Sequence, residues 1–185
     1  MQKKPKRIIV PGASPLSSTT LKCILEAYAT PIIQTSTYRE TKNYIQHGDT
    51  SCFSHCVSVA YYSLKIADWL SISYDTKSLI NGALLHDYFL YDWHQKDNSH
   101  RLHGFTHPKK SLINAFRDFD LNPIEQNIIE RHMFPLTPIP PRYRESVIVC
   151  LADKFCSLAE TLHIDVLPLS LSLDEWCSDD NNYNE

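Results

Sequence analysis

Six residues carry the chemistry this sequence is equipped to do: His55, His86, Asp87, His107, His132 and Asp153. Each sits beside residues that read as core, where an unpaired ionisable group is costly unless it is neutral and hydrogen-bonded or binds a metal. The conflict is sharpest in residues 81–94, NGALLHDYFLYDWH, where His86 and Asp87 stand in the middle of an apolar run. The pair alone is weak evidence, since chance produces such pairs in a chain with nine histidines. A shared metal resolves the conflict for all six at once. Imidazole and carboxylate suit iron, manganese and zinc, with nickel and cobalt compatible, and no thiolate is needed. Neighbouring residues on a helix point about 100° apart, so His86 and Asp87 can approach a metal centre from two directions. A carboxylate has two oxygens with which to bridge a pair of ions. Such a pair lowers the pKa of a bridging water and holds a phosphoryl oxygen.

The elements that must position these residues read as helices. Residues 17–29 open with hydroxyl caps and space Leu21, Ile24, Leu25 and Tyr28 at helical period. A second helix is expected over 35–45. A third, over 51–72, has Phe53, Val57, Ala60, Leu64 and Ala67 on one side, and a fourth runs from about Thr76 to Trp93. Residues 92–108 are polar and without apolar period, hence a loop, with Pro108 in the first turn of the next helix. Asn122, Pro123 and Glu125 form a capping-box start for a helix over 121–134. After a proline-rich turn, a last long helix over about 145–163 is expected to bury Ile148, Leu151, Phe155, Leu158 and Leu162. With four glycines in the chain there is little material for hairpin turns, and no phosphate-cradling glycine loop is present.

Composition bounds the rest. At 185 residues, 43% hydrophobic and 21% charged, with net charge -3, the chain reads as one globular domain, neither disordered nor a basic nucleic-acid binder. The basic start lacks a secretory apolar region, no stretch reaches membrane-spanning length, and the six cysteines form no C-x-x-C pair. The expectation is a cytoplasmic protein with reduced cysteines. Its core covers about 45–163, preceded by a helical extension (1–44) and followed by a polar acidic tail (174–185).

His55, then HD at 86 and 87, then Asp153 in CLADKFCSLAE, is an ordered pattern that resembles the HD-domain superfamily of metal-dependent phosphohydrolases. HGFTHPKKSLINA and IIERHMF resemble the two further histidine motifs of its dinuclear members. The resemblance implies an all-α fold, a compact helical bundle of about six to eight helices. It implies one metal on His55, His86, Asp87 and Asp153, with Asp87 bridging to a second metal on His107 and His132. No GYP follows His132, no Gly-Lys follows the pair, and Leu90 and Tyr91 stand where mononuclear deoxynucleotidases carry an acid. The pattern is therefore closer to small dinuclear hydrolases, including those acting on dinucleoside polyphosphates.

These implications define an expected enzyme. Two divalent ions, iron or manganese foremost, activate a hydroxide that cleaves a phosphomonoester or phosphoanhydride of a nucleotide or dinucleotide. Asp87 and His103 are the candidate catalytic residues, with His103 a proton donor to the leaving group or an alternative ligand four residues before His107. Phosphate needs cationic partners. Lys109, Lys110, Arg131 and Lys154 lie nearest the motifs, and Lys109, Arg131 and His47 are the candidates for substrate binding. His94, His100 and His163 read as surface residues. A homodimer is compatible with the sequence. The same ligand pattern also fits a nucleotide-sensing module with little catalysis, or a di-iron oxygenase of this fold.

Overall fold

A computed structural model describes residues 15–94, 103–164 and 166. Among these are seven α-helices: α1 (Ser18–Ile33), α2 (Ser36–Arg39), α3 (Cys52–Trp69), α4 (Thr76–Leu85), α5 (His103–Asp118), α6 (Pro123–Arg131) and α7 (Arg144–Thr161). A 3-10 turn (Glu40–Asn43) follows α2, and β1 (Ile45–His47) pairs antiparallel with β2 (Thr50–Ser51). The fold is all-α apart from this small hairpin. None of the described helices is long and apolar enough to cross a membrane. Five of the six cysteines fall among the described residues, and all five are free thiols.

Capping explains where most helices start. The side chains of Ser17, Thr35, Ser51 and Asp75 each accept a backbone N–H of the first turn. Asn122 and Glu125 close the expected capping box, with Pro123 at the first turn of α6. Helix α3 is the central element, packed against α4 and α7; α4 packs on α6, and α6 on α7. The five apolar residues expected on one side of α3 are all buried. Helices α4 and α6 approach closely at Gly82, where a Cβ would sit 2.3 Å from Ile128 Cδ1.

Four local expectations are corrected. Helix α4 stops at Leu85 instead of running to Trp93, so His86 caps it and Asp87 lies beyond its end. The chain then turns over through Leu90 at φ 55°. Side chains from other elements take its carbonyls: Cys52 Sγ donates to Asp87 O (3.1 Å), and Asn114 Nδ2 to Tyr88 O and Phe89 O (3.0 Å each). A short apolar run looks the same as helix or as buried irregular chain, and tertiary hydrogen bonds decided here. Helix α5 starts at His103, with Pro108 inside it. The 35–45 segment is helical only to Asn43 and then enters the hairpin, whose turn uses Gly48 at φ 54°.

The fourth correction concerns α7. Ile148 is buried as expected, but Leu151, Phe155, Leu158 and Leu162 are exposed. The inward face is Val149, Ala152, Asp153, Cys156, Ala159 and Glu160.

Candidate metal centre

Five helices and the hairpin deliver the polar side chains of the interior. His55 comes from the first turn of α3, His86 and His132 cap the C-terminal ends of α4 and α6, His107 lies in α5, and Asp153 lies in α7. All of these and Asp87 are buried. His86 and His132 use one device: each ring turns back so that Nδ1 donates to the carbonyl three residues earlier, Ala83 O (2.7 Å) and Ile129 O (2.9 Å). Their Nε2 atoms therefore face inward. His55 is oriented by a carboxylate instead, with Nδ1 donating to Glu160 Oε2 at 2.8 Å. Fixing one imidazole nitrogen in this way sets the tautomer and leaves the other free to coordinate.

The inward atoms form two groups around Asp87. His55 Nε2 lies 3.7 Å and His86 Nε2 3.3 Å from Asp87 Oδ2, and both are also close to Asp153 Oδ1, at 3.3 and 3.7 Å respectively. His107 Nε2 and His132 Nε2 lie 3.1 and 3.4 Å from the other oxygen, Oδ1. His55, His86 and Asp153 thus present one compact set of donor atoms, and Asp87, His107 and His132 a second.

Three observations test whether this set fits a metal. His55 Nε2, His86 Nε2 and Asp87 Oδ1 are buried and have no hydrogen-bond partner, a cost that a cation between them removes. The Nε2 atoms of His107 and His132 face each other at 2.8 Å. His132 already spends its Nδ1 proton on Ile129 O, and burial lowers its pKa more than Asp87 raises it. Its Nε2 therefore offers a lone pair. Finally, imidazole and carboxylate are donors suited to divalent transition ions. The residues fit.

Electrostatics point the same way. Burial alone raises the Asp87 carboxyl, but His86, His107 and His132 outweigh it and hold the group well below the usual carboxylate range. Asp153 is likewise held low against its burial by His55 and His86. Burial lowers the His55 imidazole, yet Asp153 and Glu160 push it up to about 10, and Asp87 drives His86 well above its ordinary value. In the metal-free protein the protons on His55 and His86 offset the charges of Asp87 and Asp153, and a bound cation displaces them.

A cavity of about 890 Å³ opens onto Asp87, His107, His132 and Asp153. His47, from β1, lines it and packs edge-on against His55 at 5.3 Å between ring centroids. Lys109 and Arg131 do not line it; Lys109 is exposed, and Arg131 pairs with Glu130 at 3.1 Å. His103 begins α5, and its side chain lies outside the described residues.

Two residues of the site, Glu160 and Gln46, were not singled out from the sequence, and a third, Lys154, was named among the nearby cations but not among the candidates for substrate binding. Glu160 orients His55; its spacing of two helical turns from Asp153 was the available signal. Gln46 Nε2 donates to Asp87 Oδ2, and only its position beside His47 hinted at that. Lys154 is the cation among the described lining residues, its Nζ donating to His132 O at 2.9 Å.

A family model for the HD domain matches residues 52–158. The chain belongs to the HD domain family, a superfamily of metal-dependent phosphohydrolases. No curated protein and no solved structure gave a significant match. The matched segment begins at the first residue of α3 and contains all six candidate ligands, while Gln46, His47 and Glu160 lie outside it.

Proposed function

We propose that the protein is a dinuclear metal phosphohydrolase that cleaves a phosphomonoester or phosphoanhydride, of a nucleotide or dinucleotide. The observation that carries this reading is Asp87, whose two oxygens face two separate sets of donor atoms. His55, His86 and Asp153 would hold one ion with Asp87 Oδ2, and His107 and His132 the other with Oδ1. When bound, two such ions, iron or manganese foremost, supply Lewis acidity and an activated hydroxide.

The chain's own residues supply the rest. Gln46 and Glu160 hold Asp87 and His55 in orientation. Lys154 Nζ, one residue beyond Asp153 and already at the rim of the cavity, is placed to take a phosphate oxygen in exchange for His132 O. His47 is kept neutral by burial and by its neighbour His55, so it can accept a hydrogen bond from a substrate hydroxyl or donate one to a phosphate. His103, one helical turn before His107, is the proposed donor of a proton to the leaving oxygen. Trp93, Met133 and Leu136 add apolar lining that phosphate alone does not need. A cavity of this size accommodates a base and sugar beside the reacting phosphate.

The test is a hydrolysis screen of phosphomonoesters, nucleotides and dinucleoside polyphosphates with protein loaded with Mn(II) or Fe(II), paired with metal analysis. Turnover of at least one class that disappears with Asp87→Asn supports the reading. Full metal loading without turnover of any of them sinks it, and nucleotide binding under those conditions would redirect it to a sensor.

A further inference from the structure

The outward face of α7 is the least explained surface among the described residues. Val147, Leu151, Phe155, Leu158 and Leu162 lie within about 80° of one another around the helix axis and are 45–64% exposed. The apolar surface continues onto α3. Phe155 meets Tyr62 at 4.9 Å between ring centroids, and both line a groove with Ile66 and with Trp69, which is 74% exposed. The exposed parts of the five α7 side chains and Trp69 amount to roughly 750 Å², more than the largest patch of a typical monomer and close to the share of one partner in a stable dimer.

The spacing of the stripe says what covers it. The intervals are four, four, three and four residues, so the pattern is nearly the same read from either end, about a midpoint between Lys154 and Phe155. An antiparallel copy of α7 across a twofold axis places Val147 opposite Leu162 of the partner subunit and Leu151 opposite Leu158 of the partner subunit. Phe155 then falls opposite Lys154 of the partner subunit, whose aliphatic stem can cover the ring while its ammonium stays with His132 O. Such a twofold contact must be self-complementary, and this stripe is. We infer that the protein forms a homodimer through antiparallel packing of α7 on α7 about this midpoint. The inference is independent of the metal centre, whose one candidate ligand on α7, Asp153, occupies the opposite face of the helix.

Sedimentation equilibrium of the full chain tests it, with far-UV circular dichroism and metal content as controls for folding. The wild type is expected at twice the chain mass, and L151K and L158E each at the chain mass with unchanged dichroism and metal content. The double variant L151K/L158E places opposite charges across the twofold and is expected to recover the dimer. A parallel pairing would set like charges against each other and stay monomeric. A wild type that remains monomeric at its highest soluble concentration overturns the inference and leaves the face to another protein or to residues beyond Ile164. A dimer unmoved by both single substitutions overturns it as well, and failure of the double variant to recover overturns the register.

Discussion

The two faces of α7 invert the usual arrangement of a surface helix. Inward, among Val149, Ala152 and Cys156, it presents Asp153 and Glu160, both buried; outward it presents Val147, Leu151, Phe155, Leu158 and Leu162, all exposed. In an ordinary amphipathic helix the large apolar side chains face the core and the carboxylates face water. Here the interior is a site of charge, so small residues let α7 approach while its two acids reach the two ring nitrogens of His55, Asp153 at Nε2 and Glu160 at Nδ1. The difference teaches that hydrophobic period identifies a stripe needing cover without saying whether the cover comes from the same chain.

The charged interior that α7 faces can be broken first, at Asp87 and His132. Asp87→Asn should empty both metal positions and lower turnover on the order of 10³-fold, whereas His132→Ala should empty mainly one; metals per chain and steady-state rates decide between them. If both substitutions remove the same metal, Asp87 does not bridge. The next contrast sets inside against outside on one helix. Ile148→Ala should cost ~2–4 kcal/mol in denaturant unfolding, while Leu158→Ala, measured at dilutions that hold the monomer, should change stability by ~0.5 kcal/mol or less. Equal costs would mean that the outer stripe is covered within one chain.

Smaller effects sharpen the account of His55. Glu160→Gln keeps the shape but weakens the hold on His55 Nδ1, and metal affinity is expected to fall about 10- to 100-fold. Unchanged affinity in a metal titration would make Glu160 a packing residue. The pH dependence has a definite sign. His55 is raised to about 10 from an ordinary 6.5, so its contribution to metal-free stability is complete below 6.5 and is lost as pH rises toward 10. Metal competes with that proton. Affinity should therefore increase between pH 6.5 and about 8.5 while the melting temperature of chelator-treated protein declines. Asp87 and Asp153 are held low, so their contribution is present above pH 3.8 and disappears as the solution becomes more acidic.

Much of this arrangement was legible in the sequence. Polar ionisable residues embedded in apolar stretches stand out, and the structure brings His55, His86, Asp87, His107, His132 and Asp153 together. Caps also read well, because Ser17 and Asn122 act on neighbours within three residues. What could not be read depends on distant partners. The end of α4 is set by Cys52 and Asn114, remote in the chain, and nothing within residues 81–94 announces them. Glu160 looks like any acid near a helix end until α3 places His55 beside it. The hairpin turns on Gly48, where a Cβ would come 2.9 Å from Glu160 O, so contact with α7, remote in the chain, adds to the positive φ in holding that position to glycine.

Helices α4 and α6 both terminate at the site, on His86 and His132. Each therefore aims its negative end, the C-terminal end of a row of aligned peptide dipoles, toward the place where cations would sit. The backbone so contributes about half an elementary charge per helix, in addition to the carboxylates. No side-chain substitution removes it, so a variant stripped of one acid keeps part of the negative potential at this spot even where its remaining ligands no longer hold an ion.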